Sequence, residues 1–163
     1  MKNLILLISL LMVVACSKKN TSTNTDFQFP SCQYHKVVAY HFEDAGNSII
    51  SKTGELNPTV KKEQVLNPEQ IKQILALLNN TDTYGGMSNR CFEPRLGVVF
   101  YDAQQKVNAH ISICFQCNNF MATPQVALAA NFPNQSAAFS EEGRRKLINF
   151  CKSLSFGQCG TLD

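Results

Sequence analysis

The fold is decided by residues 91–117, CFEPRLGVVFYDAQQKVNAHISICFQC, which predict one β-hairpin closed by sulfur. Residues 97–101 are rich in the β-branched and aromatic side chains that strands prefer, and residues 102–106 form a polar loop that suits a hairpin. The second strand, residues 107–115, alternates with a period of two, so one set of side chains faces a core and the other faces water or another layer. The first set is Val107, Ala109, Ile111, Ile113, Phe115 and Cys117, and the second is Asn108, His110, Ser112, Cys114 and Gln116.

The two ends of this motif each carry a cysteine. A loop that is symmetric about Gln104 places Tyr101 opposite Val107 and, at the far end, Cys91 opposite Cys117. Opposed cross-strand residues lie at Cα separations that a disulfide tolerates. A cystine between Cys91 and Cys117 is therefore expected to close the hairpin.

The register leaves one alternative open. Pro94 cannot donate to a strand ladder, and a bulge at Gly97 would move the pairing by one residue. With the register moved, Cys114 competes with Cys117 as the partner of Cys91.

The chain begins with an export signal. Lys2 is followed by an apolar run at residues 4–14, about half of the roughly 20 residues that a membrane-spanning helix needs. The run leads into VVAC at residues 13–16, which resembles the lipobox of bacterial lipoproteins. The resemblance implies that residues 1–15 are removed and that Cys16 is acylated, so that membrane lipid holds the protein in the bacterial cell envelope, at the outer membrane or the periplasmic face. An ordinary signal peptide with an incidental cysteine is the alternative.

The mature chain is expected to consist of a tether and one domain. Residues 16–28 contain the lipidated cysteine and the polar stretch SKKNTSTNT, which cannot form a core. Residues 29–163 are long enough for a single globular domain with its own core. The whole chain has 15 basic and 12 acidic side chains, and no basic run is long enough to predict nucleic acid binding.

Cysteine usage predicts a disulfide framework. Seven cysteines are present, and removing Cys16 leaves an even number in an exported chain. Cys151 and Cys159 flank a predicted helix end, where Gly157 turns the chain back, and they are the expected second pair. Cys32 is left for the remaining hairpin cysteine, which would make three cystines. The six disulfide candidates are Cys32, Cys91, Cys114, Cys117, Cys151 and Cys159.

Two amphipathic helices are predicted to pack on the sheet. The first, residues 68–78, follows the N-cap Asn67 and has proline at its first position. The second, residues 141–155, follows Ser140 and has two glutamates in its first turn. With a further strand at residues 36–42, the sequence predicts an α+β fold: a small antiparallel sheet centred on the hairpin, two covering helices and disulfide staples.

A longer pattern carries a family resemblance. It reads CFxPRxG, then VFYD, then ICFxCNN, and ends in the helix SExGxxKLxxFC at residues 140–151. It is similar to a group of uncharacterised bacterial lipoproteins and secreted proteins of the Bacteroidetes type, to which no activity is assigned. In that group a histidine often follows the arginine, whereas this chain has Leu96, so a metal or acid–base role of that side chain is not carried over. The matching residues are Cys91, Phe92, Pro94, Arg95, Gly97, Tyr101, Asp102, Cys114, Phe115, Cys117 and Asn118.

The favoured functional interpretation is a non-catalytic binding or structural module of the envelope, with structural cysteines and no cofactor. Its partner would be an envelope protein or a small ligand. The expected ligand site is a rim of polar side chains beside the cross-links. These side chains are Tyr84, Arg90, Arg95, Asn118 and Asn119.

The alternative interpretation is thiol–redox chemistry or metal binding by Cys91, Cys114 and Cys117. The C-x-x-C spacing of the last two lets both sulfurs point to one centre. Redox motifs of this kind sit at a helix start, however, and this one ends a strand. No other metal ligand set is expected.

An enzyme is the least favoured class. The only histidines are His35, His41 and His110, and no G-x-S-x-G, H-E-x-x-H or phosphate-loop motif is present. Arg95 and Asp102 are predicted to form an ion pair across the hairpin, with capture of an anionic ligand by Arg95 as the alternative.

Overall fold

The computed structural model describes residues 28–132, 138–157 and 159–160. The predicted signal peptide, the predicted lipidation site Cys16 and the predicted tether up to residue 27 lie outside the described residues. Across the described ranges, no helix is both long and apolar enough to cross a membrane.

Five strands form one antiparallel sheet in the order β2-β1-β3-β4-β5. Two α-helices accompany the sheet, which confirms the α+β class with an antiparallel sheet and two helices. The strands are β1 (Lys36–Phe42), β2 (Val60–Val65), β3 (Leu96–Tyr101), β4 (Val107–Cys114) and β5 (Asn119–Thr123), and the helices are α1 (Pro68–Leu78) and α2 (Glu141–Ser153).

The register of β3 against β4 differs from the symmetric hairpin by one residue over most of its length. Tyr101 lies opposite Val107, but the register shifts between Phe100 and Tyr101, and Val99 lies opposite His110. The bulge is therefore at the loop end of the hairpin, where β4 contains one extra residue, and not at the glycine in β3.

Both helices begin where their capping residues predict. The Asn67 side chain accepts from the backbone N–H of Gln70, and the Gln70 side chain accepts from the N–H of Asn67, which completes a capping box at α1. Ser140 caps α2 by accepting from the N–H of Gly143 at 3.0 Å. Each cap satisfies N–H groups that a helix start otherwise leaves without a partner.

The two faces of the sheet are covered differently. One face packs against α1 and α2 and forms the main core. The other face packs against residues 43–59, the connection between β1 and β2, which we call the covering segment. Buried residues that share the main core include Val37, Ala39, Leu96, Val98, Phe100, Ile111, Ile113, Ile74, Leu78, Leu147 and Phe150.

Two disulfides staple the domain. Cys91 pairs with Cys117 at a Cα separation of 5.6 Å, and Cys151 pairs with Cys159 at 5.7 Å. The first joins the segment before β3 to the turn after β4, and the second joins the segment after α2 to that helix.

The third expected cystine is not formed: among the described cysteines, Cys32 and Cys114 are unpaired. Cys32 precedes β1 at the hairpin-loop end of the sheet, where the N–H of His35 donates to Tyr101 O at 2.7 Å. Cys114 is the last residue of β4, at the opposite end. At about 3.3 Å per residue, the strand separates the two cysteines by roughly 20 Å. This distance is too long for a disulfide, so the pairing of Cys32 with Cys114 that elimination predicted is wrong.

Candidate functional site

The covering segment is fixed to the sheet by hydrogen bonds to one serine of β4. Ser112, which is fully buried, accepts from the backbone N–H of Ile49 at 2.8 Å, and its hydroxyl lies 2.7 Å from the hydroxyl of Ser48. Gly97 of β3 lies directly beneath Ile49, so the segment approaches the strand backbone closely. These contacts hold the segment over β1, β3 and the near side of β4.

Asn57 holds the covering segment in shape from within. Its amide donates to Asp44 Oδ2 at 2.8 Å and to the carbonyl of Ser48 at 3.1 Å. Its side-chain oxygen accepts from the N–H of Thr59 at 2.9 Å. These hydrogen bonds fix the conformation of the covering segment.

A groove remains between the covering segment and the β4–β5 side of the sheet. Its volume is about 740 Å³. Asp44, Lys52 and Glu55 contribute charged groups to its wall, and Leu56 and Met121 contribute exposed apolar surface. We call this space the groove.

His110 of β4 lines the groove opposite Thr123 of β5. The residue is 9% exposed, and its Nδ1 is buried without a hydrogen-bond partner. Burial lowers the pKa of the His110 imidazole below its ordinary value, which favours the neutral ring near neutral pH. A neutral imidazole has one N–H donor and one acceptor nitrogen, and it can recognise a polar group of either kind.

A second cavity of about 350 Å³ lies along β5 and the 3-10 turn Ala127–Asn131. Phe120, Val126 and Ala129 give it apolar walls. We call it the edge cavity. Met121 and Ala122 border both the edge cavity and the groove, so the two spaces flank the same strand.

The residues of the predicted rim stabilise the fold around the hairpin end. Tyr84 is buried and donates its hydroxyl to the carbonyl of Leu78 at 2.7 Å, and burial raises its pKa. Asn118 donates to the carbonyls of Met87 and Phe139 at 3.0 and 2.8 Å. These two side chains satisfy backbone carbonyls of neighbouring segments.

The other three rim residues lie apart from these contacts. Asn119 donates to the carbonyl of Cys91 at 2.7 Å. Arg90 is exposed. Arg95 pairs with Glu43 at 3.0 Å and borders a small cavity of about 200 Å³ beside the start of the covering segment. Of the five residues, Arg95 alone lines one of the cavities named here.

The expected ion pair between Arg95 and Asp102 is wrong. Arg95 precedes β3 and Asp102 follows it, so the two residues lie at opposite ends of the strand. Asp102 instead accepts from the N–H groups of Gln104 and Lys106, both at 2.9 Å, and so shapes the hairpin loop.

The cysteines at the other end of the hairpin form a compact group. Cys114 is fully buried, and its sulfur accepts from the N–H groups of Glu93 at 3.2 Å and Cys117 at 3.3 Å. Cys91 is exposed. The sulfurs of Cys91 and Cys117 are bonded to each other and are not thiolate ligands in this state. Within residues 28–132, 138–157 and 159–160, no three His, Cys, Asp or Glu side chains group as metal ligands would.

The groove was not predicted from the sequence. The alternation in β4 does place His110 and Ser112 on one face, with water or another layer against them, and the structure supplies the layer. The polar side chains of the covering segment resemble those of an ordinary surface connection. The only signal for the site was a histidine and a serine at alternate positions of β4, on the same face of the strand.

Comparison with protein-family models, with curated proteins and with solved structures gives no match. The fold and the groove define the class: a small, disulfide-stapled α+β domain with a concave site on one face of its sheet.

Proposed function

We propose that the protein is a lipid-anchored lipoprotein of the bacterial cell envelope that binds an envelope protein or a small ligand, without catalysis, in the groove. The sequence supports the anchor, because Cys16 directly follows an apolar run and a small residue. Acyl chains on Cys16 would hold the domain at a membrane without a transmembrane helix.

The observation that carries the binding role is the groove itself. Ligand pockets in proteins are usually about 300–1,000 Å³ and combine apolar walls with a few convergent polar groups. The groove has about 740 Å³, exposed apolar side chains and a nearly buried histidine in its lining. The neutral imidazole of His110 can donate to or accept from one polar group of a ligand.

The anchor is tested by fractionating cells that express Cys16→Ser, with Cys32→Ser as the matched control. We expect the wild type and the control in the membrane fraction with incorporated palmitate analogue, and Cys16→Ser without label. Membrane-bound, labelled Cys16→Ser would contradict the proposal.

The binding role is tested by the thermal stability of the lipidated protein in detergent against a panel of sugars, amino acids, nucleosides and short peptides. A compound at about 100 times its dissociation constant should stabilise the fold by about 2.7 kcal/mol. Leu56→Arg should abolish that shift because Leu56, 39% exposed, borders the groove. Val65→Arg, at a 62% exposed position of β2 that does not border the groove, should retain it. A shift that survives Leu56→Arg would contradict the site.

Thiol–disulfide exchange at Cys91, Cys114 and Cys117 is a second candidate function. The N–H of Cys117 lies against the Cys114 sulfur at 3.3 Å, next to a cystine whose other end is exposed. In the exchange, the thiolate of Cys114 attacks Sγ of Cys117, the bond from Cys117 to Cys91 breaks, and Cys91 leaves as a thiolate that takes up a proton. No external oxidant is needed, because one disulfide replaces another.

Mapping the thiols over time separates this function from simple binding. After incubation at mildly alkaline pH, exchange predicts alkylation of Cys91 and a disulfide between Cys114 and Cys117 in the wild type, and neither in Cys114→Ser. A Cys91 that stays unreactive in both proteins would exclude the exchange.

A further inference from the structure

We infer that the outer edge of β5 binds an extended peptide segment of a partner protein, which adds to the sheet as a further strand. This inference rests on the proposed function and names the ligand class of the groove. Three observations support it: the outer edge of β5 has no described strand partner, β5 contains no charged residue, and a cavity lies on each side of the strand.

Within the described part of the chain, the edge of β5 is open for pairing. β5 is the outermost strand on its side of the sheet, and its ladder runs from His110 opposite Thr123 to Cys114 opposite Asn119. Among the residues that the structure describes, its backbone makes no backbone–backbone hydrogen bond outside this ladder. The alternate N–H and C=O groups that point away from β4 form a row of the kind that pairs with a second chain.

The two edges of the sheet differ in charge. β2, at the opposite edge, has the sequence VKKEQV, and its consecutive charged residues 61–63 are exposed. Charged side chains, lysines above all, are the usual protection of an edge strand against pairing. β5 has the sequence NFMAT and carries no charge. The edge of β5 therefore lacks the protection that the edge of β2 has.

The two cavities match the geometry of an added strand. Successive side chains of a strand point to opposite faces of the sheet. Because Met121 and Ala122 border both the groove and the edge cavity, a strand beside them would direct alternate side chains into the two spaces. Pairing of the backbones would supply affinity, and the two spaces would supply specificity.

The lining of each space defines the side chains that fit. The edge cavity has apolar walls from Phe120, Val126 and Ala129, so it takes a medium-sized aliphatic or aromatic side chain. The groove contains His110 and the charged Lys52 and Glu55, so it takes a polar side chain that hydrogen-bonds to the imidazole. The ligand class is thus an extended, proline-free segment with alternating apolar and polar residues.

The experiment measures binding of a pool of end-capped peptides, each about seven residues long, to the lipidated protein in detergent. The peptides alternate apolar and polar residues, and a second pool has the same sequences N-methylated at alternate positions. N-methylation removes the N–H donors of a strand ladder and leaves the side chains in place. Amide hydrogen exchange of residues 119–123 is followed in parallel.

We expect the first pool to bind, the N-methylated pool to bind at least about tenfold more weakly, and exchange of the outward amides of β5 to slow about tenfold or more. Met121→Lys, at a 45% exposed position, should weaken binding about tenfold by placing a charge on this edge. Val65→Lys, on the exposed edge of β2, is the matched control and should bind as the wild type does.

Four results would overturn the inference. Equal binding of both pools would show side-chain recognition in the groove without strand addition, and the proposed function would stand. Slow exchange of the β5 amides in the free protein would show an edge that is already paired. Concentration-dependent self-association that Met121→Lys abolishes would show a second copy of the chain on this edge. If neither peptides nor the small-molecule panel bind, the proposed function fails as well.

Discussion

Ile49 of the covering segment lies directly on Gly97 of β3. A Cβ atom at position 97 would stand 2.5 Å from Cγ1 of Ile49 and 2.7 Å from its Cβ, closer than real contacts allow. The segment that forms one wall of the groove is therefore seated on the sheet through the one position of β3 that has no side chain.

Gly97→Ala should destabilise the fold by about 1–3 kcal/mol, because the added methyl group must displace a buried isoleucine. The free energy of unfolding from urea titration checks this value. Gly157→Ala is the matched control, since nothing lies within 4 Å of a Cβ at that position. Equal stability of the two variants would contradict the close approach.

Ser112→Ala should cost about 1–3 kcal/mol, because it leaves the buried N–H of Ile49 without its acceptor. Ser48→Ala removes the hydroxyl pair but leaves that bond intact, and it should cost less, about 0.5–1.5 kcal/mol. The double variant should be about as stable as Ser112→Ala alone, since both substitutions remove the same hydroxyl contact. Additive losses in urea titration would argue against the shared contact.

The two disulfides should contribute unequally to stability. The cystine between Cys91 and Cys117 spans 26 residues, and the cystine between Cys151 and Cys159 spans 8. Loop-closure entropy predicts a loss of about 3.5 kcal/mol when the first pair is replaced by alanines and about 2.5 kcal/mol for the second. Thermal unfolding of the two double variants under oxidising conditions measures the order. The reverse order would show that native packing outweighs chain entropy.

The part of the fold that the sequence predicts is the part with strong local signals. The alternation in residues 107–115 indicates which side of β4 faces the helices, and Asn67 and Ser140 indicate where the helices begin. The strands β2 and β5 were missed, because VKKEQV does not alternate in hydrophobicity and NFMAT is short. Both are edge strands, and an edge strand needs only one apolar face or none.

The site was not predicted because its parts come from distant positions with weak local signals. The covering segment folds onto β4 through Ser112 and onto β3 through Gly97, and neither contact has a periodic pattern. Residue type pointed to polar side chains such as Asn118, but those amides pair with backbone carbonyls. No residue type in β4 indicates the bulge either, and the bulge shifts the pairing of β3 with β4 by one residue from the predicted register.

Stability should fall in mild acid because of His41. The residue is 6% exposed, both ring nitrogens are buried without hydrogen-bond partners, and its ring stacks on Phe156 at 6.0 Å between centroids. Burial lowers the pKa of His41 below its ordinary value; Glu43 opposes this, and Arg95 and Lys62 add to it. The folded state therefore favours the neutral imidazole, while the unfolded chain takes up a proton near its usual pKa of about 6.5.

The direction in which the free energy of unfolding changes with pH follows from this difference in protonation. Below about pH 6.5 the unfolded state binds more protons than the folded state, so the free energy of unfolding falls as pH falls and is constant above that pH as far as this group is concerned.

His41→Phe removes the proton-binding group, keeps a ring against Phe156, and should flatten the profile of unfolding free energy against pH, measured by urea titration between about pH 7 and pH 5. His110 also has a pKa lowered by burial, so part of the slope should remain in His41→Phe and disappear when both are replaced. A wild-type profile that is flat over this range would show that the folded protein accommodates the charged rings.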